Sequence, residues 1–416
     1  MKAFSGLILV LLLLGTAACR SEVKQHETVE IKLSGWQSSP SESKLLAKLL
    51  KDFESQNPNI SVKHEVINSQ YMDVIRTRLI GNVAPDVFYL EAFEAPLFMK
   101  YGVLEPLEAY IKPPYHLSDF EPNLLNAFRY QGKLYGIPKD FSTLALFYDK
   151  TALAQAHLNG PPKTWTELVQ SSKKLTVDRN QDGRMDQYGL GIVPELPRQV
   201  FMLQAFGGQL ADANGYGTFA DPNRLQGLQL LIDQYQRDRT AVQATDVGAS
   251  SNSEAFGRGN IAMAIEGAWA IPYLQDNFPQ LKFGTAEIPT INGRKGTMAF
   301  TVAYVINRES KHKAAAWQLI EYLTSRAGMQ AWVSQGLALP SRRSVTTALH
   351  YDRNPLYGPL MAGATYATIW QFGATAPILA THFDNQLLSA LLGQRSLSSA
   401  MERAQTKANR DIYLSN

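Results

Sequence analysis

The chain has 416 residues, of which 45% are hydrophobic and 19% are charged, and its formal net charge is +3. This length exceeds what one small core needs and predicts two domains of ordinary size. Because the positive excess is small and Lys and Arg form no run, the composition argues against a nucleic-acid partner, which requires a concentrated basic face.

The amino terminus predicts export. After the basic start Met1-Lys2, Leu7 to Leu14 is an unbroken aliphatic run. The run is shorter than the about 20 residues of a membrane span, but it is typical of a secretory signal. It ends at Gly15-Thr16-Ala17-Ala18-Cys19, and Cys19 is the single cysteine. Small residues before a lone cysteine resemble the lipobox of bacterial lipoproteins, although Thr16 stands where an aliphatic residue is usual. An ordinary signal peptide with an incidental cysteine is the alternative.

These features predict how the protein is held at the membrane. We expect residues 1–18 to be a signal peptide, Cys19 to carry lipid, and residues 19–27 to be a polar tether. The anchored protein would face the periplasm or the cell exterior. No later segment reaches about 18 consecutive apolar residues, so we expect no membrane-spanning helix.

The next 60 residues or so alternate between strand and helix patterns. The predicted elements are a strand at Val29, Ile31 and Leu33, a helix over Pro40 to Phe53, a strand over Ile60 to Val66, a helix over Tyr71 to Ile80, and a strand over Asp86 to Leu90. This β-α-β-α-β order predicts a mostly parallel sheet flanked by helices. Ligands bind such sheets at the carboxyl ends of the strands. Trp36 and its neighbours, and Glu91 with Phe93, should therefore lie at one rim.

Later segments predict further helices. Thr164 and Glu167 form the capping-box pattern that begins a helix ending near Lys174. Leu225 to Tyr235 and Ala314 to Thr324 have the spacing of amphipathic helices. The sequence alone thus predicts an α/β protein of two domains.

Several short motifs follow one another in order along most of the chain. They are Gly81 to Val87 with Pro85-Asp86-Val87, Gly132 to Pro138, Leu146 to Lys150, Pro162 to Leu168, Phe256 to Met263 followed by Gly267-Ala268-Trp269, and Leu339 to Arg343. Together they resemble the motifs of extracellular solute-binding proteins of the maltose-binding type (family 1). The resemblance implies a two-lobed, periplasmic-binding-protein-like (type II) fold, in which each lobe is a mostly parallel sheet flanked by helices.

The resemblance also implies where the lobes divide and what they do. The first lobe would hold residues 28–140 and 293–345, and the second residues 141–292 and 346–416. The chain would cross between them near residues 139–142, 291–294 and 345. Lobe closure over a solute would present a monomeric binding protein to the permease and ATPase of an ABC importer.

A sugar ligand calls for flat aromatic rings against its apolar face, and for carboxylates, amides or Arg against its hydroxyls. Strand-end position, with the resemblance, suggests Trp36 with Gln37 and Ser38, and Glu91 with Phe93. The resemblance implies the remaining candidates, which are Asp140, Glu266, Trp269, Phe300 and Trp370. For each residue the alternative is an ordinary role in the core or on the surface.

A separate metal site is suggested by the segment Asp178 to Asp186. Asp178, Asn180, Asp182 and Asp186 occupy positions 1, 3, 5 and 9 of an EF-hand-type calcium loop, with Gly183 at position 6 and Arg184 at position 7. The carboxylate expected at position 12 is missing, because Gly189 stands there. One structural calcium ion is therefore one interpretation, and a polar Asp-Gly turn without metal is the other. No other cofactor is expected.

The rival functions are an enzyme and a binding protein for another solute. A glycoside hydrolase would also line its site with carboxylates and aromatic rings, but the sequence carries none of the motifs of a serine hydrolase, a zinc protease or a phosphate loop. Glycerol phosphate would require several cations in the cleft, and a polyamine several carboxylates around aromatic rings. The candidate residues are aromatic with few charges, which favours a neutral sugar or glycoside. The resemblance favours a small one, such as trehalose, sucrose or glucosylglycerol.

Overall fold

The structure is a computed structural model that describes residues 28–37, 39–334, 336 and 338–415. The predictions on the signal peptide, Cys19, the tether and Ser38 lie outside the described residues. The strands are β1 (Val29–Gly35), β2 (Ile60–Val66), β3 (Val87–Glu91), β4 (Arg129–Tyr130), β5 (Lys133–Leu134), β6 (Gly136–Asp149), β7 (Leu190–Ile192), β8 (Ala241–Gln243), β9 (Met263–Gly267), β10 (Phe283–Ala286), β11 (Met298–Ile306) and β12 (Thr368–Ile369).

Helices cover most of the remaining chain. They are α1 (Pro40–Gln56), α2 (Tyr71–Ile80), α3 (Ala95–Lys100), α4 (Pro122–Asn126), α5 (Lys150–Gln155), α6 (Trp165–Leu175), α7 (Val200–Gln204), α8 (Gln226–Ile232), α9 (Asn252–Gly257), α10 (Ala270–Asn277), α11 (Lys313–Leu323), α12 (Arg326–Val333), α13 (Arg343–Leu349), α14 (Gly358–Ala364), α15 (Ala376–Leu391) and α16 (Leu397–Ser415). Helix α8 continues into a π-helical turn over Asp233–Arg237. Within the described residues, no helix is both long enough and apolar enough to cross a membrane.

The first five elements confirm the predicted β-α-β-α-β order to within a few residues at each boundary. Strand β1 pairs in parallel with both β2 and β3, as the order predicted. The strand order in the large sheet is β2-β1-β3-β11-β6-β9-β7-β8, with β10 on β6 and β12 on β11. The strands β9, β7 and β8 are again parallel, whereas β6 and β11 run antiparallel to their neighbours in the middle.

Strand β6 joins the two halves of the molecule. Its residues from Gly136 to Thr143 pair with β11, and its residues from Leu144 to Tyr148 pair with β9. Strand β6 therefore changes its partner strand between Thr143 and Leu144. In the part of β6 that follows Thr143, alternate side chains point to opposite faces of the sheet. Ala145 and Phe147 therefore pack in one hydrophobic core, and Leu144 and Leu146 pack in the other.

Strand β11 also changes its partners along its length. Its carboxyl-terminal part pairs with β3, whereas Met298 and Ala299 pair with β12. The preceding turn is still held by the second half, because the Asn292 side chain donates to the Ala205 carbonyl at 3.1 Å and the Trp165 N–H to the Thr290 carbonyl at 2.9 Å. The predicted crossings near residues 139–142, 291–294 and 345, and the lobe boundaries that go with them, stay predictions.

Candidate ligand-binding site

A cavity of about 360 Å³, here called the central cavity, lies beside the two crossing strands. Both halves of the molecule line it. The lining residues are Trp36, Ser39, Glu42, Glu91, Lys139, Asp140, Phe141, Ser142, Trp269, Pro272, Phe300, Val302, Trp332 and Ala338. It contains five of the ten residues predicted to bind ligand, Trp36, Glu91, Asp140, Trp269 and Phe300, and so it is the candidate site.

Trp36 follows β1 directly, and its position depends on a close approach at Gly35. A β-carbon on Gly35 would lie 2.5 Å from the Tyr89 ring, so only glycine leaves room for that ring. The Trp36 ring meets the Tyr71 and Tyr89 rings edge to face, with centroids 5.0 and 5.3 Å apart. Contacts with two tyrosine rings therefore hold the Trp36 indole in the cavity lining.

Glu91 is the last residue of β3 and is half-buried in the lining. Removal from water raises the pKa of its carboxyl to about 7, and the negative charge of Glu94 adds to the effect. Within the described part of the chain, the Glu91 side chain makes no hydrogen bond or ion pair, whereas Glu94 is paired with Arg76. Glu91 thus presents a carboxyl group that a ligand donor can use.

Asp140 reaches the central cavity together with its neighbour Lys139, because β6 has a bulge there. Asp140 pairs with Val302 and Pro138 with Ala303, which leaves Lys139 as the extra residue. The Trp332 indole N–H donates to the Asp140 carboxylate at 2.7 Å, and the Lys139 ammonium contacts the same carboxylate. Lys139 also lies 4.1 Å from the centre of the Trp332 ring. The charges of Lys139 and Asp140 are therefore largely satisfied by each other and by Trp332.

A second cavity of about 490 Å³, here called the side cavity, shares Trp269 with the central cavity. Its lining residues are Ile192, Val193, Pro194, Glu195, Arg198, Gln243, Ala244, Thr245, Ser250, Ser251, Asn252, Ser253, Glu266, Trp269 and Tyr273. Glu266, a predicted ligand residue, lines this side cavity and not the central one. The Trp269 indole is thus a wall common to both spaces.

Trp269 is held by polar partners from two elements. Its indole N–H donates to the Glu266 carboxylate at 3.1 Å, and Arg198 donates to the same oxygen at 3.2 Å. The Arg198 guanidinium lies 5.8 Å from the centre of the Trp269 ring. A β-carbon on Gly267, which ends β9, would lie 2.3 Å from that ring, so the indole can fold back only over glycine. Phe300 completes the wall by meeting Trp269 edge to face at 5.9 Å.

The predicted ligand residues Phe93 and Trp370 lie against each other. Their rings stack on each other at 4.6 Å and 10°, and neither lines the central or the side cavity. The next residue, Gln371, donates to the carbonyls of Ala92 and Ala127 at 2.8 and 2.6 Å. These residues therefore form a contact between the segment after β3 and the segment after β12. In this contact each of the two rings covers the apolar face of the other, which is the face predicted to meet a ligand.

Gln37 also lies outside both linings. Its backbone N–H donates to the Asn68 side chain at 3.0 Å, and its side-chain oxygen accepts from Ser43. The residue joins the start of α1 to the segment after β2, which is a local structural role. Ser38, predicted beside it, is not among the described residues.

Sequence reasoning missed the lining residues Glu42, Lys139, Trp332 and Arg198. Strand alternation would place Lys139 opposite Asp140, and only the bulge brings both to one side. The sequence around Trp332 predicts only a core residue of an amphipathic helix. The hydrogen bond from its indole N–H to Asp140 joins residues 192 positions apart, so no local pattern could predict it. A signal was available for Arg198, which follows two prolines in a segment that leaves β7 at its carboxyl end.

The proposed calcium loop is closed by its own backbone. Asp178 accepts from the N–H groups of Asp182 and Gly183 at 3.3 and 2.8 Å, and Asp186 accepts from that of Arg179 at 2.6 Å. Across the residues that the structure describes, no three His, Cys, Asp or Glu side chains are grouped so as to hold a metal ion. Such bonds suit a polar turn and leave oxygen lone pairs for an ion. Calcium binding stays a prediction.

Comparison with known proteins identifies relatives of the whole fold. A family model for bacterial extracellular solute-binding protein matches residues 37–330. The multiple sugar-binding protein of Streptococcus mutans is 25% identical over 345 residues, which are 79% of this chain and 78% of that protein.

Solved structures agree with the fold described above. An ABC substrate-binding protein from Listeria monocytogenes in complex with cycloalternan superposes with a TM-score of 0.84 at 21% identity, covering 92% of this chain and 99% of that one. The maltose/maltodextrin-binding domain from Bdellovibrio bacteriovorus bound to maltotriose gives 0.81 at 24% identity, covering 92% and 100%. These relatives are all named as binding proteins or binding domains. The predicted two-lobed fold is confirmed, and the chain belongs to the bacterial extracellular solute-binding protein family.

Proposed function

We propose that this protein is the substrate-binding lipoprotein of an ABC importer, and that it captures a neutral sugar or glycoside in the central cavity. The observation that carries the proposal is the lining itself, in which three indoles, Trp36, Trp269 and Trp332, surround polar groups that include Glu91. Indole faces cover the C–H face of a sugar ring, and carboxylates accept its hydroxyl hydrogens. The lobes close over the bound sugar, and the closed form is the one presented to the permease.

The size and the relatives support a small saccharide. A cavity of about 360 Å³ lies at the lower end of the usual range for small-molecule sites. The relatives named above are described as binding sugars, including cycloalternan and maltotriose. We favour a disaccharide or glucoside such as trehalose, sucrose or glucosylglycerol, with its second unit directed past Trp269 towards the side cavity.

A polyamine is the second candidate, on one specific observation. The central cavity is lined by three acidic side chains, Glu42, Glu91 and Asp140, and by one basic side chain, Lys139. An excess of carboxylates around aromatic rings attracts an organic cation. A glycerol phosphate is disfavoured, because Lys139 is already engaged by Asp140.

Calorimetric titration of a soluble form that starts after Cys19 tests the proposal. The panel contains trehalose, sucrose, glucosylglycerol, maltose, spermidine, putrescine and glycerol phosphate. We expect one-to-one binding of one or a few neutral sugars. Trp269→Ala should weaken that binding at least about tenfold, or about 1.4 kcal/mol, because the variant removes a wall of both cavities.

Tyr101→Ala is the matched control, since Tyr101 is an aromatic residue that is 69% exposed and lines neither cavity. It should bind the same ligand with unchanged affinity. If spermidine or putrescine binds and no sugar gives a calorimetric signal, the ligand is a polyamine and not a sugar. An unchanged affinity in Trp269→Ala would contradict the assignment of the site.

A further inference from the structure

A short segment that carries Arg198 supports the wall between the two cavities. Strand β7 ends at Ile192, and residues 193–199, here called the arginine segment, leave the sheet before α7 begins. From this segment Arg198 donates to the Ile265 carbonyl at 2.6 Å and to the Glu266 carboxylate at 3.2 Å. The Glu266 oxygen also accepts the Trp269 indole N–H. The position of the segment therefore bears on the position of the Trp269 ring.

The arginine segment is fixed from outside by helix α15. The Asp384 carboxylate accepts the Leu196 N–H at 2.6 Å, a bond between residues 188 positions apart. Inside the segment, the Gln199 side chain donates to the Val193 carbonyl at 2.7 Å and the Arg198 N–H to the Glu195 carbonyl at 2.9 Å. The segment thus holds its own shape, and Asp384 ties that shape to the rest of the molecule. The Leu196 side chain is also fully buried. This apolar packing attaches the segment but does not orient it as a hydrogen bond does.

Asp384 is an unusual residue for a purely structural tie. It is half-buried, and among the described residues it forms no ion pair, while His382 on the same helix pairs with Asp411. Removal from water and the charge of Glu195 raise the pKa of the Asp384 carboxyl to about 7. A carboxyl kept there without a counter-ion costs stability, which suits a residue retained for what it positions.

We propose that Asp384 is a positioning residue for ligand binding, which acts by holding the Leu196 N–H so that Arg198 can fix Glu266 and the Trp269 indole. The proposal rests on the proposed function only for its affinity readout. Its structural readout, the state of the Trp269 ring, is independent of the ligand.

Two substitutions separate the hydrogen bond from the charge. Asp384→Asn keeps an oxygen that can accept the Leu196 N–H, whereas Asp384→Leu removes it and keeps the same number and branching of side-chain heavy atoms. We expect Asp384→Leu to weaken binding of the sugar found by titration about fivefold to tenfold, and Asp384→Asn to stay within about twofold of the wild type. Asp411→Asn, which alters the neighbouring His382 pair, is the matched control and should bind normally.

The route through Arg198 is tested by a double-mutant cycle. In an Arg198→Ala background, Asp384→Leu should cost less than about twofold, because the group it positions is gone. In ligand-free protein labelled with fluorotryptophan, the resonance assigned to Trp269 by a Trp269→Phe variant should shift in Asp384→Leu and not in Asp384→Asn.

Three results would overturn the proposal: equal affinities in Asp384→Leu and wild type, an equal loss in Asp384→Asn, or a full effect that persists without Arg198. If Asp384→Leu does not fold, Asp384→Ala is measured in its place by the same cycle and resonance. A wild type that binds no sugar would contradict the proposed function and leave the Trp269 resonance to decide on Asp384.

Discussion

Glu91 illustrates at the residue scale how a binding site differs from a stable core. Its half-buried carboxyl lies beside Glu94 and has no partner within the described chain. Asp140 and Glu266, the other predicted acids, each accept an indole N–H and contact a base. A carboxyl left in this state destabilises the folded protein when it ionises, and it is the group with most to gain from a ligand hydroxyl.

Glu91→Gln should change the pH dependence of stability. The ordinary pKa of 4.5 applies to the unfolded chain and about 7 to the folded protein, so the folded state binds the proton more tightly. The contribution of Glu91 is therefore fully present below about pH 4.5 and is lost as the pH rises through about 7. The variant lacks this loss. Its free energy of unfolding relative to wild type should rise between pH 5 and pH 8 by at most about 3 kcal/mol.

Urea unfolding of both proteins across that pH range measures the difference. Glu402→Gln, at an exposed position of α16, is the control for the Glu-to-Gln substitution itself. A difference for Glu91→Gln that does not vary with pH would mean that Glu91 titrates alike in the folded and unfolded states.

Local signals were most reliable at the scale of single elements. The capping box predicted at Thr164 is confirmed in substance, because the Thr164 hydroxyl accepts the Glu167 N–H at 3.2 Å. The Glu167 carboxylate accepts the N–H of Lys163 at 2.7 Å, one residue before the position that the motif specifies. These bonds involve residues three or four apart, so the sequence contains both partners and the geometry that joins them.

The loop after α6 gives the element-scale prediction. If calcium binds through Asp178, Asn180, Asp182, Asp186 and the Arg184 carbonyl, it should stabilise the folded protein by about 2.7 kcal/mol at a calcium concentration about 100 times the dissociation constant. The thermal midpoint should then be higher in calcium than in chelator. Asp178→Asn combined with Asp182→Asn should abolish the difference, and magnesium is the control ion. Equal midpoints in calcium and chelator would leave the loop as a polar turn.

At the scale of the whole molecule, two lobes share one continuous strand system, because β6 and β11 belong to both halves. If the lobes close over a ligand as proposed, these paired strands are where the rotation would be centred, with the lining residues Asp140 and Phe300 beside them. The Phe93–Trp370 stack and the Gln371 bonds lie between the segments after β3 and after β12. Under the proposed function, a ligand held by residues from both halves would stabilise a closed arrangement only by the difference between its affinities for the closed and the open form.

Attachment to a membrane is also a property of the whole protein. If Cys19 carries the lipid, mass spectrometry of the amino terminus of the purified protein should find a lipid on Cys19, and Cys19→Ser should lack that mass, since Cys19 is the single cysteine. A wild-type amino terminus without a lipid would contradict lipidation as the anchor.

The sequence by itself determined the local elements, the family and part of the site. Alternating apolar residues predicted β1 to β3, and the carboxyl ends of those strands predicted Trp36 and Glu91, because strand direction and ligand edge are linked in parallel sheets. Trp269 and Phe300 came from the family resemblance, which carries tertiary information that period patterns lack.

Only the tertiary structure decided the rest. Phe93 and Trp370 have the residue types and positions of ligand walls, yet their rings stack on each other. The sequence could not predict this contact, because it joins residues 277 positions apart. The bulge that turns Lys139 towards Asp140 depends on the register of β11. The bonds of Trp332 to Asp140 and of Asp384 to Leu196 are equally remote. Local periodicity specifies which face of an element is buried, but the partner that covers the face is set by the packing of the two lobes.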